Sequence, residues 1–189
     1  MSIFDNIGKA AKELEKEASK ALSNKTETFT FEALPESLAE LQALPEASMD
    51  TPYKTAALAV AALCAFAAAP EIGLEMLNYL KGPQPFSQQQ VAFMKERIRD
   101  CGVKCPFSYF AGATPDNNYT PAQPFKVSVT SNPYSFTNEG YAVLWIKSGG
   151  ADSPRELQLR RKGTDGPWYL WEQFLLVQIR PAKEDDPWA

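Results

Sequence analysis

Histidine is absent from all 189 residues. That excludes serine–histidine–aspartate and cysteine–histidine catalysis, histidine-ligated zinc and imidazole acid–base chemistry. An enzyme built on this chain would have to use carboxylates, lysine, tyrosine or cysteine. Cysteine is scarce as well. Cys64, Cys101 and Cys105 form an odd, sparse set, which argues against a secreted disulfide framework. The spacing of Cys101 and Cys105 allows a bridge, but the simpler expectation is three reduced thiols. Two thiols without another soft ligand do not make a metal site, and no cofactor motif is present: GxxxxGK and GxGxxG do not occur, nor does an acidic calcium loop. Basic residues are in the minority, with 19 Lys and Arg against 23 Asp and Glu, a net charge of −4 and a pI near 5.0. Nucleic-acid binding needs a basic face, and the one basic cluster, Arg160-Arg161-Lys162, is too short to reverse the balance. Long apolar runs are missing too. The longest, Ala56 to Ala69, is too short to span a bilayer and suits a buried helix. The opening stretch has no leading positive cluster followed by an apolar core, so no secretory signal is expected and the chain reads as cytoplasmic.

What is present is ordinary for a globular chain: 44% apolar and 22% charged residues, enough to bury a sizeable core. Residues 1–24 read as an amphipathic helical appendage. Ile7, Leu14 and Ala21 recur every seven residues, with Ile3 one turn before Ile7, between lysines and glutamates. Residues 3–22 could dock on the body of the protein, pair with a protein partner or a second copy, or lie on a membrane surface. The weak apolar face and mixed charges disfavour the last use. From residue 28 to 189 we expect one α+β domain. Phe29 and Phe31 alternate with polar residues as in a half-buried strand. Leu38, Leu41 and Leu44 share a short helical face. In "DTPYKTAALAVAALCAFAAAP", Thr51 can cap and Pro52 can open a helix that is apolar on every side, the expected centre of the fold. Two further helices follow, one ending at Gly82-Pro83 and one opened by a Ser87/Gln90 capping box. Beyond Pro106 four strand-like segments with short turns predict an antiparallel β-meander on which the helical layer packs.

Several stretches, "MDTPYKTAAL", "EMLNYLKGP", "SYFAGATPDNNYTP", "GADSPRELQLRRKG" and "WYLWEQFLLVQIRP", resemble an uncharacterised family of bacterial domains of unknown function. The resemblance spans about residues 28–189 and omits the first helix. It implies a bacterial, intracellular, compact domain and brings no catalytic residues with it.

Four stretches invite a functional reading. Residues 103–124 make a long segment without predicted regular structure, stiffened by prolines, whose Tyr109, Asn117, Asn118 and Tyr119 could face a ligand; equally, the loop could simply bridge helices to sheet. In "GGADSPRE", Gly149-Gly150 suggests mobility. Arg155 could bind an anion, or pair with Asp152 to fix the turn. In "WYLWEQ", strand alternation puts Trp168, Leu170 and Glu172 on one side and Tyr169, Trp171 and Gln173 on the other. One side then presents rings to solvent or a partner, and Glu172 either sits desolvated among them or pairs with Arg160 or Arg161. Trp188 either tucks into its own domain or anchors another chain. The favoured reading is a non-enzymatic interaction or ligand-binding domain. The alternative is an enzyme using carboxylate, Tyr and Arg chemistry in a pocket formed by loops 108–124 and 149–155 with Glu172.

Overall fold

The computed structural model describes residues 25–188. The amphipathic segment 1–24 lies outside the described residues. Element order is β1 (Thr26–Phe31), α1 (Leu38–Ala43), α2 (Pro52–Ala68), α3 (Pro70–Lys81), α4 (Gln88–Cys101), α5 (Lys104–Phe107), β2 (Phe125–Thr130), β3 (Tyr141–Ile146), β4 (Arg155–Arg161) and β5 (Trp168–Gln173). The strands form one antiparallel sheet in the order β1-β2-β3-β4-β5. The fold is α+β, as the sequence pattern requires. The strand around Phe29 joins the sheet as its first edge, paired with β2.

Helix α2 sits at the centre. Between Pro52 and Cys64 every residue except Lys54 is buried, and the helix touches all five strands as well as α3. Its alanines let the sheet and α3 approach closely. The Thr51 hydroxyl accepts from the Lys54 amide, and Pro52 occupies the first turn, where its missing N–H costs nothing. The sheet face toward α2 carries Phe29, Phe31, Val127, Val129, Leu144, Ile146, Leu157, Leu159 and Leu170, all buried in one cluster. Alternation then sends Tyr141, Val143, Trp145, Gln158 and Arg160 to the outer face.

The β5 edge is closed by the helical layer. The Trp168 amide donates to the Met49 carbonyl at 2.8 Å, the Thr55 hydroxyl to the Trp168 carbonyl at 2.7 Å, and the Lys81 amine to the Trp171 carbonyl at 2.6 Å. Those bonds occupy groups that would otherwise template strand addition.

Two local expectations are corrected. Residues 103–124 contain helix α5 and a 3-10 turn at Pro115–Asn117. Cys101 and Cys105 are bridged rather than reduced: α4 ends at Cys101, the chain turns at Gly102, and α5 brings the second cysteine within 5.7 Å, Cα to Cα, inside the bridging range. Cys64 is buried in α2 and unbridged, and burial raises its thiol pKa. Among the described residues no helix is long and apolar enough to cross a membrane.

Candidate functional site

Most of the polar residues singled out from sequence converge, but on the chain's own tail. The Tyr109 hydroxyl donates to the Leu175 carbonyl at 2.5 Å and the Tyr119 hydroxyl to the Arg180 carbonyl at 2.6 Å. Both side chains are buried, and that burial raises both phenol pKa values. Asn118, in the left-handed region at φ 54°, donates to the Glu184 carboxylate at 3.0 Å and accepts from the Glu184 amide at 3.2 Å. Asn117 stays within its own loop, bonding Gly112, Thr114 and Thr120. Arg155 donates to the carbonyls of Val177 and Gln178, each at 2.8 Å, and to Ser153. Asp152 pairs with Arg180 at 3.0 Å, not with Arg155. Lys104 adds ion pairs to Glu184 and Asp185.

Loops 108–124 and 149–155 therefore do meet, with segment 175–185 laid over them. The glycines there serve close approach rather than mobility. A Cβ at Gly149 would fall 1.9 Å from the Ala113 carbonyl oxygen, and one at Gly150 would fall 2.0 Å from the Tyr119 hydroxyl. The polar groups in this seam are spent on one another. Trp188 does not tuck in: it is 93% exposed.

Trp171 and Glu172 lie elsewhere. The β4–β5 register sets Gln158 opposite Glu172 and Leu159 opposite Leu170, which leaves Trp171 as an extra residue, a β-bulge. The bulge breaks the alternation expected from sequence. Leu170 enters the core, whereas Trp171 and Glu172 stand together opposite Gln158 on the outer face. The Trp171 ring meets Tyr141 edge-on at 6.3 Å between centroids. The Arg160 guanidinium lies 4.7 Å from the Trp171 centroid and 5.4 Å from that of Tyr141. Arg160 is thus engaged with rings rather than with Glu172, and among the described residues Glu172 forms no ion pair within 4 Å.

Beside Trp171 a cleft of about 290 Å³ opens between the end of α3 and the β4–β5 hairpin, lined by Lys81, Arg160, Arg161, Lys162, Tyr169 and Trp171, among others. None of its lining residues belongs to loops 108–124 or 149–155. Each cation is placed by a local device. Arg160 and Arg161 are the last residues of β4, on opposite sides of the strand. Arg161 is steadied by Nε donating to the Gly166 carbonyl at 3.2 Å and by lying 5.7 Å from the Trp168 centroid. Lys162 opens the hairpin turn, closed by its amide to the Pro167 carbonyl at 3.0 Å. Lys81 ends α3 and is only 8% exposed. Its amine lies 5.1 Å from the Phe86 centroid and 5.4 Å from that of Trp171. Burial lowers its pKa, and the charge of Glu172 opposes that shift. Gly82, at φ 68°, is needed where the helix turns away, because a Cβ there would fall 2.4 Å from the Tyr169 ring. Among the described residues none of these four cations is ion-paired. Such cations, three of them held against aromatic faces and none of them ion-paired, can bind an anion by charge-assisted hydrogen bonds.

The residues missed from sequence are Lys81, Arg160, Arg161, Lys162 and Tyr169. The signal was the basic triplet itself, discounted because the chain as a whole is acidic. A second groove, about 590 Å³, runs past Leu34, Cys64, Ile72, Phe107 and Phe125; its polar residues, Glu32, Glu36 and Gln123, are all exposed. No group of three or more Cys, Asp and Glu able to hold a metal occurs among the described residues.

Neither the curated proteins nor the solved structures contain a match to this chain. A family model does match, over residues 33–183, which takes in the helical layer, the meander from β2 to β5 and most of the pinned tail. The chain belongs to a family described as a domain of unknown function, DUF6935.

Proposed function

We propose that the protein is a non-enzymatic ligand-binding domain whose working site is the cleft at the β4–β5 hairpin, and that its ligand is an anion. The observation that carries this reading is the convergence of Lys81, Arg160, Arg161 and Lys162 on one cleft without a carboxylate partner, in a chain of net charge −4. Unpaired like charges repel, and Lys81 is desolvated besides. An arriving anion relieves both costs. The outer sheet face supplies Trp171 and Tyr169 as rigid apolar surface beside the charges.

The same geometry favours binding over carboxylate and tyrosine catalysis. The hydroxyls of Tyr109 and Tyr119 are committed to backbone carbonyls, and Asp152 to Arg180. With this reading go a bacterial, cytoplasmic setting and a role for residues 3–22 in association with a protein partner or a second copy. Removing residues 1–24 should leave the domain folded and, if those residues mediate self-association, lower its mass in light scattering.

Thermal unfolding in a panel of anions at constant ionic strength tests the site. Polyvalent anions should raise the Tm of the wild-type chain above its value in chloride. The Arg160→Ala/Lys162→Ala double variant should lose that increment. No increment in any anion, or the same increment in the double variant, would defeat the reading.

A further inference from the structure

We infer that the anion is a phosphate ester: a phosphoryl group held by Arg160, Arg161, Lys162 and Lys81, joined to an organic part resting on Tyr169 and Trp171. This rests on the reading of the cleft as an anion site and narrows it to a ligand class.

Charge is the first reason. Four cations line the cleft, and the acidic group acting electrostatically on them is Glu172, through Lys81. A monocarboxylate would leave most of that charge uncompensated. A phosphate monoester carries about −1.5 to −2 at neutral pH and a diphosphate more, so either comes closer to balance.

Shape is the second reason. The cations arrive from three separate elements: the end of α3, the last two residues of β4, and the first residue of the hairpin turn. A carboxylate has two acceptor oxygens in one plane. A phosphoryl group has three arranged around a tetrahedron, and so can accept from donors on several sides at once. The donors are free to give. Arg160 makes no side-chain hydrogen bond among the described residues, Arg161 has only its Nε engaged, and Lys81 uses one of its three N–H groups on Trp171.

The third reason concerns the organic part. The cleft is not a bare phosphate cradle. Pro83, Tyr169 and Trp171 line it alongside the cations, and Trp171 is delivered to the cleft by a bulge that places it beside Arg160. Apolar surface next to a charged pocket rewards a ligand that is charged at one end only. A volume of about 290 Å³ admits a small phosphorylated molecule.

Titration calorimetry of the full chain with five probes decides the matter: inorganic phosphate, pyrophosphate, phenyl phosphate, benzoate and citrate. Phenyl phosphate should bind about tenfold or more tightly than benzoate, a difference of about 1.4 kcal/mol, and more tightly than citrate despite citrate's larger charge. Phenyl phosphate binding above inorganic phosphate supports the ester. Inorganic phosphate or pyrophosphate binding equally well overturns the organic part of the proposal. Carboxylates binding as well as phosphates overturn the phosphoryl assignment but leave the anion site standing. No binding by any probe removes both. Trp171→Leu should weaken phenyl phosphate more than inorganic phosphate, whereas Arg160→Ala should weaken both. Equal loss on Trp171→Leu would contradict the platform role.

Discussion

The Tyr119 hydroxyl donates to the carbonyl oxygen of Arg180, 2.6 Å away and 61 positions later in the chain. That bond, with the one from Tyr109 to Leu175, fastens the tail over the loops at the start of β4. Tyr119→Phe leaves a part-buried carbonyl without its donor and should cost about 1 kcal/mol. Chemical denaturation measures the loss. Gly150→Ala should cost at least as much, because its Cβ would fall 2.0 Å from the same hydroxyl. If Gly150 serves flexibility instead, the alanine variant will be neutral or stabilising.

Asn118 tests the outer end of the strap. Its side-chain amide makes two polar contacts to Glu184, beside the ion pair from Lys104. Asn118→Ala should loosen the end of the tail around Glu184, with residues 175–180 still held by Tyr109, Tyr119 and Arg155, and with a global loss on the order of 1 kcal/mol, because these contacts are exposed. Limited proteolysis should then cut in the tail of the variant at protease levels that spare the wild type. Unchanged cleavage would mean that Asn118 does not hold the tail.

The bridge between Cys101 and Cys105 closes a loop with sequence separation 4. A loop that short contributes about 2 kcal/mol by restricting the unfolded chain. Reduction, or the Cys101→Ser/Cys105→Ser variant, should lower stability by that order and leave anion binding unchanged, because neither cysteine lines the cleft at Trp171. Loss of anion binding on reduction would show that the two regions are coupled.

Lys81 gives the cleft a pH signature. Burial holds its amine below the ordinary value of 10.5, and Glu172 opposes the shift. The folded chain therefore sheds this proton earlier than the unfolded chain does. In the window between the lowered value and 10.5, this group makes stability rise with pH. Anion affinity runs the other way, because deprotonation removes one of the charges in the cleft. Calorimetry from neutral pH upward should show affinity falling before pH 10.5 is reached, with Arg160, Arg161, Lys162, Glu172 and Tyr169 the other charged or titratable groups around the amine. Lys81→Met should bind more weakly at neutral pH and flatten that fall. An unaltered profile in the variant would remove Lys81 from the site.

Helices and core were legible because their signals are local and repeated. The unbroken apolar run of α2, the Ser87 capping box and the alternation in β2 and β4 each state their environment in adjacent residues. The seam was half legible. Pro115, Asn117 and Asn118 announced a stiff turn, yet what the turn holds is a tail some sixty positions away, and nothing near Tyr119 names Arg180. The bulge at Trp171 was not legible. Strict alternation splits Trp171 from Glu172, and only pairing with β4 shows that they stand together. The cleft was missed because its charges come from distant parts of the chain. Arg160, Arg161 and Lys162 form a triplet, but Lys81 reaches them only once α3 is laid along the β5 edge.

Amide and indole shift mapping by nuclear magnetic resonance, with phenyl phosphate added to the labelled full chain, puts the cleft to trial. The signals of Lys81–Gln84, Arg160–Gly163 and the Trp171 indole should move together and saturate with one dissociation constant, while those of residues 108–124 and 175–186 stay in place. Shifts centred on the tail seam or on the apolar groove past Ile72 and Phe107, or no saturable shifts, would contradict an anion site at the β4–β5 hairpin.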